Sequence, residues 1–577
     1  MTRRLGRGSD SSRADRPGHG GRATIPDERT APRGRGPLLA LAVGAVAVTA
    51  VARRLGWQAP LLLVLVGFAA SFVPGVPEFS IDGDLLLAVV LPPLLYSAAL
   101  EVSYADFRAL LRPIVQLGVG LVVVTSVVVA LVAHAVVPGL SLPAALVLGA
   151  VVAPPDAVSA AAIGRQLGLP RPVMTVLSGE SLINDAASLT FYKVALAAVF
   201  GAGGVLLGLD ASDAAATFGL AVAVGVALGL AIGVLVHLVR VRLDDPVVTS
   251  VLGVVVPFAA YLVAEELSGS GVLAVVAAGL YLGHRSPEAG YASRLQERPL
   301  WTSLDLLLQA LVFALIGLQL RGVAESAEAS ARSNWSLAGA ALAVLATAVV
   351  VRPLFVYLVE GLRRVPRPWR QRRSRSHRPT WRQQAVISWT GMRGVVTLAA
   401  AAAVPEDFPD REVLQLLAYV VTIGTLLVQG LSLPWLIRVL GVTDPGQARR
   451  DAAAEVHLAE RATAAALERI AEVEQELVEK VGVERAHAVA ERIRGPLLAR
   501  ARSMSASMRA EQGEDGDRDR RRARTFHRVR QEIIEVQRRV LMEERDKGHL
   551  DDEVMRAVLQ ELDYEEAATA NSWVGRL

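Results

Sequence analysis

Two short strings place carboxylates where the surrounding sequence is almost purely apolar. One is Val151-Val152-Ala153-Pro154-Pro155-Asp156-Ala157-Val158-Ser159, and the other is Ser178-Gly179-Glu180-Ser181-Leu182-Ile183-Asn184-Asp185-Ala186. A charge in such a setting is costly unless it is satisfied, so each acid is a functional candidate. In the first string, two adjacent prolines remove two amide donors and disfavour helix just before them. The backbone is expected to unwind there and expose carbonyl oxygens beside Asp156. In the second string, helical geometry sorts the polar groups. Ser181 and Asp185 are i,i+4 and share a face; Glu180 and Asn184 share another, about 100° away. Hard monovalent cations take oxygen ligands. Asp156, Asp185, the Ser181 hydroxyl and a carbonyl freed near Pro155 offer such a set, while Glu180 and Asn184 fall to the supporting structure. A carboxylate pair also holds protons, and protonation removes the charge that a cation needs. Competition for the same oxygens would couple the two ions.

A buried Glu180 needs a counter-charge. The later string Thr390-Gly391-Met392-Arg393-Gly394 offers Arg393, between glycines that weaken a helix and permit close approach. Arg393 is therefore the expected partner of Glu180. Arg352, just before Pro353, is expected to snorkel to a cytoplasmic helix end, and Lys193 toward the outer surface.

The elements that must hold these groups are apolar runs. The chain has 577 residues, of which 52% are hydrophobic and 20% charged, and its mean hydropathy is +0.40. Most of the charge lies in 1–36, 361–382 and 442–577. A spanning helix needs roughly 20 apolar residues, and the stretch from Pro37 to residue 441 reads as about thirteen such runs. Their bounds are 37–52, 58–73, 83–100, 113–137, 142–163, 172–200, 214–238, 246–266, 270–283, 303–320, 337–359, 383–404 and 413–440. Arg53/Arg54, Arg108/Arg112, Arg165/Arg171, Arg240/Arg242, Arg285/Arg294/Arg298 and the basic stretch Arg363–Arg382 fall on alternate connections. The positive-inside bias puts these in the cytoplasm. The C terminus is then cytoplasmic and the N terminus outside, although the Arg-rich 1–36 segment, read as disordered, pulls the other way. Residues 442–577 mix both signs of charge with apolar residues at helical spacing, as in Glu532–Met542 and Asp552–Leu562. They read as a soluble helical tail, with a break at Gly513–Asp517. The tail is expected to pack on the membrane part or on a second copy, a regulatory sensor being the alternative.

With no cysteine in the chain, disulfides, thiolate metal sites and Cys nucleophiles are excluded. None of the nine His falls in a metal-binding spacing, and a net charge of +4 gives little support to nucleic-acid binding. No organic cofactor is implied.

Pro155-Asp156-Ala157-Val158, the string Gly179-Glu180-Ser181-Leu182-Ile183-Asn184-Asp185-Ala186, Gly391-Met392-Arg393-Gly394 and Leu91-Pro92-Pro93-Leu94-Leu95-Tyr96 resemble the monovalent cation:proton antiporter-1 family, the Na+/H+ exchangers. The resemblance covers about residues 37–441. It implies an all-α polytopic membrane fold with two inverted six-helix repeats, runs 1–6 and 8–13, joined by run 7. Runs 5 and 12 would be the broken, crossing helices. It also implies a homodimer with elevator-like alternating access, and Na+ held at Asp156, Asp185 and Ser181. Glu180, Asn184 and Arg393 would form the stabilising network. Asn184 before Asp185 implies electroneutral one-for-one exchange across the plasma membrane, serving pH and sodium homeostasis. Two departures bear on selectivity and on attraction of the ion from the cytoplasm. Pro155-Asp156-Ala157 stands where relatives often have Thr-Asp-Pro, and Ser97 stands where many have an acid. Three other readings compete: a K+/H+ exchanger, a membrane-embedded enzyme using the same acids, and a channel. The enzyme reading lacks a nucleophile–base pair.

Overall fold

A computed structural model describes residues 35–74, 76, 83–200, 211–243, 245–288, 290–328, 334–364, 379–444, 446–512, 516–547, 558–560, 562–564 and 566–567. Four of the sequence expectations therefore lie wholly or partly outside the described residues. They are the disordered 1–36 segment, the basic stretch Arg363–Arg382, the break at Gly513–Asp517 and the pattern Asp552–Leu562. The described residues are helical and contain no strand. They fall into two compact units, divided between Val442 and Thr443.

The first unit is built from α1 (Arg35–Leu55), α2 (Ala59–Ala70), α3 (Gly83–Glu101) and the short α4 (Tyr104–Ala109). There follow α5 (Leu111–Val136), α6 (Leu142–Val152), α7 (Ala157–Gln166), α8 (Arg171–Phe200), α9 (Ala211–Arg242), α10 (Pro246–Glu266) and α11 (Gly271–Arg285). The last are α12 (Tyr291–Glu328), α13 (Asn334–Arg364), α14 (Trp381–Trp389), α15 (Val395–Ala402) and α16 (Arg411–Leu440). By length and composition, seven helices among the described residues can cross a membrane: α5, α8, α9, α10, α12, α13 and α16. The apolar runs 142–163 and 383–404 are each split into two shorter helices, because the chain unwinds at Ala153–Asp156 and at Thr390–Gly394.

Starts are chemically marked. Ser141 and Ser270 cap α6 and α11 through their hydroxyls, and Thr380 with Gln383 forms a reciprocal capping box on α14. Helices also approach closely where side chains are small. A Cβ on Gly149 of α6 would lie 2.1 Å from the Ser126 carbonyl oxygen of α5, so only glycine permits that crossing. Two π-helical turns, Gln116–Leu121 in α5 and Leu426–Gly430 in α16, disturb the helical ladder. In the second, the Gln58 amide donates to the Gly430 carbonyl at 2.6 Å.

The second unit contains α17 (Gln447–Val481), α18 (Val483–Gln512) and α19 (Gly516–Asp546). Glu474 on α17 meets His487 at 2.8 Å and Arg494 at 3.0 Å, both on α18. The hydrogen bond from His487, then that from Arg494, holds the Glu474 carboxyl below the usual carboxylate range.

Candidate cation site

Pro154 and Pro155 have no amide hydrogen, and every carbonyl left behind needs another donor. A continuous helix would pair Ala150 O with the amide of residue 154; instead Ala150 O accepts the Ser188 hydroxyl of α8 at 2.9 Å. Val152 O would take the Asp156 amide; here it accepts Arg393 Nε at 2.8 Å, while the Asp156 amide donates to Met392 O. Pro155 O accepts the Asn184 side-chain amide at 3.0 Å, which leaves its second lone pair. The two unwound stretches thus partner one another through Asp156 N with Met392 O and Arg393 with Val152 O, and α8 partners the carbonyls of Ala150 and Pro155. Gly394 lets them touch, since a Cβ there would lie 2.5 Å from the Asp156 carboxylate.

The polar faces of α8 separate as the spacing requires. Ser181 and Asp185 line a cavity of about 50 Å³ together with Pro155 and Asp156 of the first break and Gly394–Thr397 of the second. That is several times the space one water needs. Asp185 is 6% exposed, and the Ser159 hydroxyl donates to Asp156 Oδ2 at 2.6 Å. Two carboxylates therefore share the cavity, and no Lys, Arg or His is among its lining residues. Leu94, Leu95 and Ala98 of α3 and Gln309 and Phe313 of α12 close it on other sides.

Glu180 and Asn184 are not among the residues lining the cavity. The expected partner of Glu180 is corrected here: it is Arg352, not Arg393. Arg352 and Glu180 are 2% and 1% exposed and form a two-pronged pair, with Arg352 Nη2 2.8 Å from Glu180 Oε2 and Nη1 on Oε1. Arg352 Nε also donates to Ile387 O at 3.0 Å. The expectation of a snorkelling Arg352 fails because α13 continues to Arg364, which leaves Arg352 roughly 18 Å of helix rise inside that end. Arg393 stays buried nearby, with its side chain on Val152 O and Gly391 O and its amide on the Thr425 hydroxyl at 3.0 Å. A cation on the last carbonyls of α6 suits the negative end of that helix. Lys193, half-exposed, pairs with Glu265 of α10.

The sequence reading passed over Asp305 of α12, whose two carboxylate oxygens accept the Ser97 hydroxyl at 2.8 and 2.7 Å. An acid at the start of the run 303–320 was the available signal. Thr397 was also passed over; a lone hydroxyl in an apolar run gives no signal.

Comparison with known proteins adds the context. The family model described as "Sodium/hydrogen exchanger, transmembrane" matches residues 39–439. An uncharacterized Na+/H+ exchanger of Mycobacterium tuberculosis is 32% identical over 92% of this chain and 95% of its own length. The Na+/H+ antiporter ApNhaP of Aphanothece halophytica is 30% identical over 68% of this chain and 71% of its own. A sodium, potassium, lithium and rubidium/H+ antiporter of Bacillus subtilis is 29% identical over 65% of this chain and 57% of its own. The fold is similar to that of a sodium proton antiporter from Methanocaldococcus jannaschii, with TM-score 0.54 at 17% identity over 70% of this chain and 98% of the other.

Proposed function

The chain belongs to the transmembrane sodium/hydrogen exchanger family, and from that premise we propose that it is a secondary active antiporter exchanging Na+, and Li+ as its smaller analogue, for H+ across the plasma membrane. The observation that carries the reading is the pair Asp156 and Asp185 facing one cavity beside two unwound helices, with no cationic side chain in the lining. Broken helices of this kind mark ion sites in secondary transporters. Na+ binds Asp156, Asp185, the Ser181 hydroxyl and the remaining lone pair of the Pro155 carbonyl. Protons bind the same carboxylates, so cation and proton exclude one another. Glu180, Asn184, Arg352 and Arg393 hold the frame in which they compete.

The mutual pairing of the two breaks supports an inverted-repeat architecture with about thirteen spans, in which α6/α7 and α14/α15 cross. We read the working protein as a homodimer with a moving, elevator-like core. Its C-terminal tail lies in the cytoplasm and its N terminus outside, and it serves pH and sodium homeostasis. A second reading, K+/H+ exchange, is favoured by the Bacillus relative, whose name includes potassium. Everted vesicles preloaded with protons decide between them. Dequenching of a pH-sensitive dye on adding Na+ or Li+, but not K+, supports the first reading; a response to K+ supports the second; a response to none contradicts both.

A further inference from the structure

The second broken helix brings more than backbone to the cavity. Thr397 sits in the first turn of α15, just after the unwound stretch Thr390–Gly394. A threonine hydroxyl inside a helix commonly donates to the carbonyl four residues back. Thr49 does so to Ala45, Thr190 to Ala186, Thr347 to Ala343 and Thr422 to Ala418. For Thr397 that carbonyl would be the one on Arg393, which lies in the unwound stretch and off the helical ladder. Thr397 is fully buried, its Oγ1 has no hydrogen-bond partner, and the residue lines the cavity with Asp156, Ser181 and Asp185.

A buried hydroxyl without a partner is costly, and native folds keep few of them. Here the residue that carries it lines the space assigned to the cation. Its oxygen carries two lone pairs and, unlike a carboxylate, takes up no proton as the site titrates. We propose that Thr397 Oγ1 is an oxygen ligand of the transported cation, contributed by the second broken helix. This rests on the antiport reading above. The ligand set then spans both breaks: Asp156 comes from one, Thr397 follows the other, and Asp185 and Ser181 come from α8. The cation ties the two unwound stretches together, whereas a proton on either carboxylate does not.

The test is a kinetic comparison in proteoliposomes of wild type, Thr397→Val, which keeps the shape and loses the hydroxyl, and Thr397→Ser, which keeps the hydroxyl. Thr397→Val is expected to raise the apparent KM for Na+ about tenfold, the effect of losing one good polar contact, and to leave the rate at saturating Na+ near wild type. At fixed, sub-saturating Na+ its half-maximal pH moves upward, because a weaker cation competes only when protons are scarcer. Thr397→Ser behaves as wild type. A packing role would lower the maximal rate and leave KM and the pH midpoint in place, and that result overturns the proposal. Should Thr397→Val fail to assemble, Thr397→Ala replaces it. The rise in thermal midpoint on replacing choline chloride by NaCl reads the same affinity; it shrinks in the variant, and an undiminished rise overturns the assignment. If wild type itself moves no protons on addition of Na+, the antiport reading fails; wild-type exchange with an unaltered Thr397→Val overturns only the ligand.

Discussion

Glu180 and Asp185 are five residues apart on one helix, and their surroundings give them opposite tasks. Glu180 meets a guanidinium that grips both of its oxygens; Asp185 faces a cavity without cationic lining. Removing one member of a buried pair leaves an uncompensated charge. Arg352→Ala is therefore expected to destabilise the protein by about 3–5 kcal/mol, and adding Glu180→Gln to recover much of that loss. Thermal unfolding in detergent checks it, and equal melting of the single and double mutants would contradict the pairing. Gly394→Ala presents a different case. Its new methyl group meets the Asp156 carboxylate, a cost of about 1–3 kcal/mol if the site cannot give way. A raised Na+ KM with normal membrane insertion is the expected phenotype. The cluster on α8 was legible in the sequence because i,i+4 spacing determines which side chains share a face. Which of two distant arginines meets Glu180 was not legible: that depends on where α13 ends and on how far the Arg352 side chain reaches from it.

At the scale of elements, the proline pair predicted an unwound stretch, and the glycines around Arg393 predicted weakness in the later run. The sequence did not show that each break completes the other. That follows from an amide and a carbonyl more than 200 positions apart in the chain (Asp156 N and Met392 O), a pairing that no local pattern encodes. The crossing of α6 with α5 fixes the break from behind. Gly149→Val should drive side-chain atoms into the Ser126 carbonyl and displace α6. The expected outcome is a lower thermal midpoint and loss of exchange even though Asp156, Asp185 and Ser181 are untouched. Wild-type stability in this variant would show that the crossing is not tight.

For the whole molecule, every residue lining the cavity belongs to the unit that ends at Val442. Truncation after Val442 is accordingly expected to leave exchange in place, with any change in pH or cation dependence marking a regulatory tail. Complete loss of flux in a well-folded truncated protein would contradict that division. Charge balance is also a property of the complete cycle. One-for-one exchange, which the resemblance at Asn184-Asp185 implies, moves no net charge, so an imposed membrane potential is expected to leave the initial rate unchanged, and acceleration by the potential would contradict that stoichiometry. The central claim, however, is that a cation and a proton compete at Asp156 and Asp185, and it is tested most directly by one measurement. Purified protein is reconstituted into liposomes containing a pH-sensitive dye, an outward Na+ gradient is imposed, and the internal pH is followed for wild type and for Asp185→Asn. The account predicts internal acidification that depends on Na+ in wild type and none in Asp185→Asn, although the variant inserts and melts normally. Acidification at the wild-type rate in Asp185→Asn would contradict it.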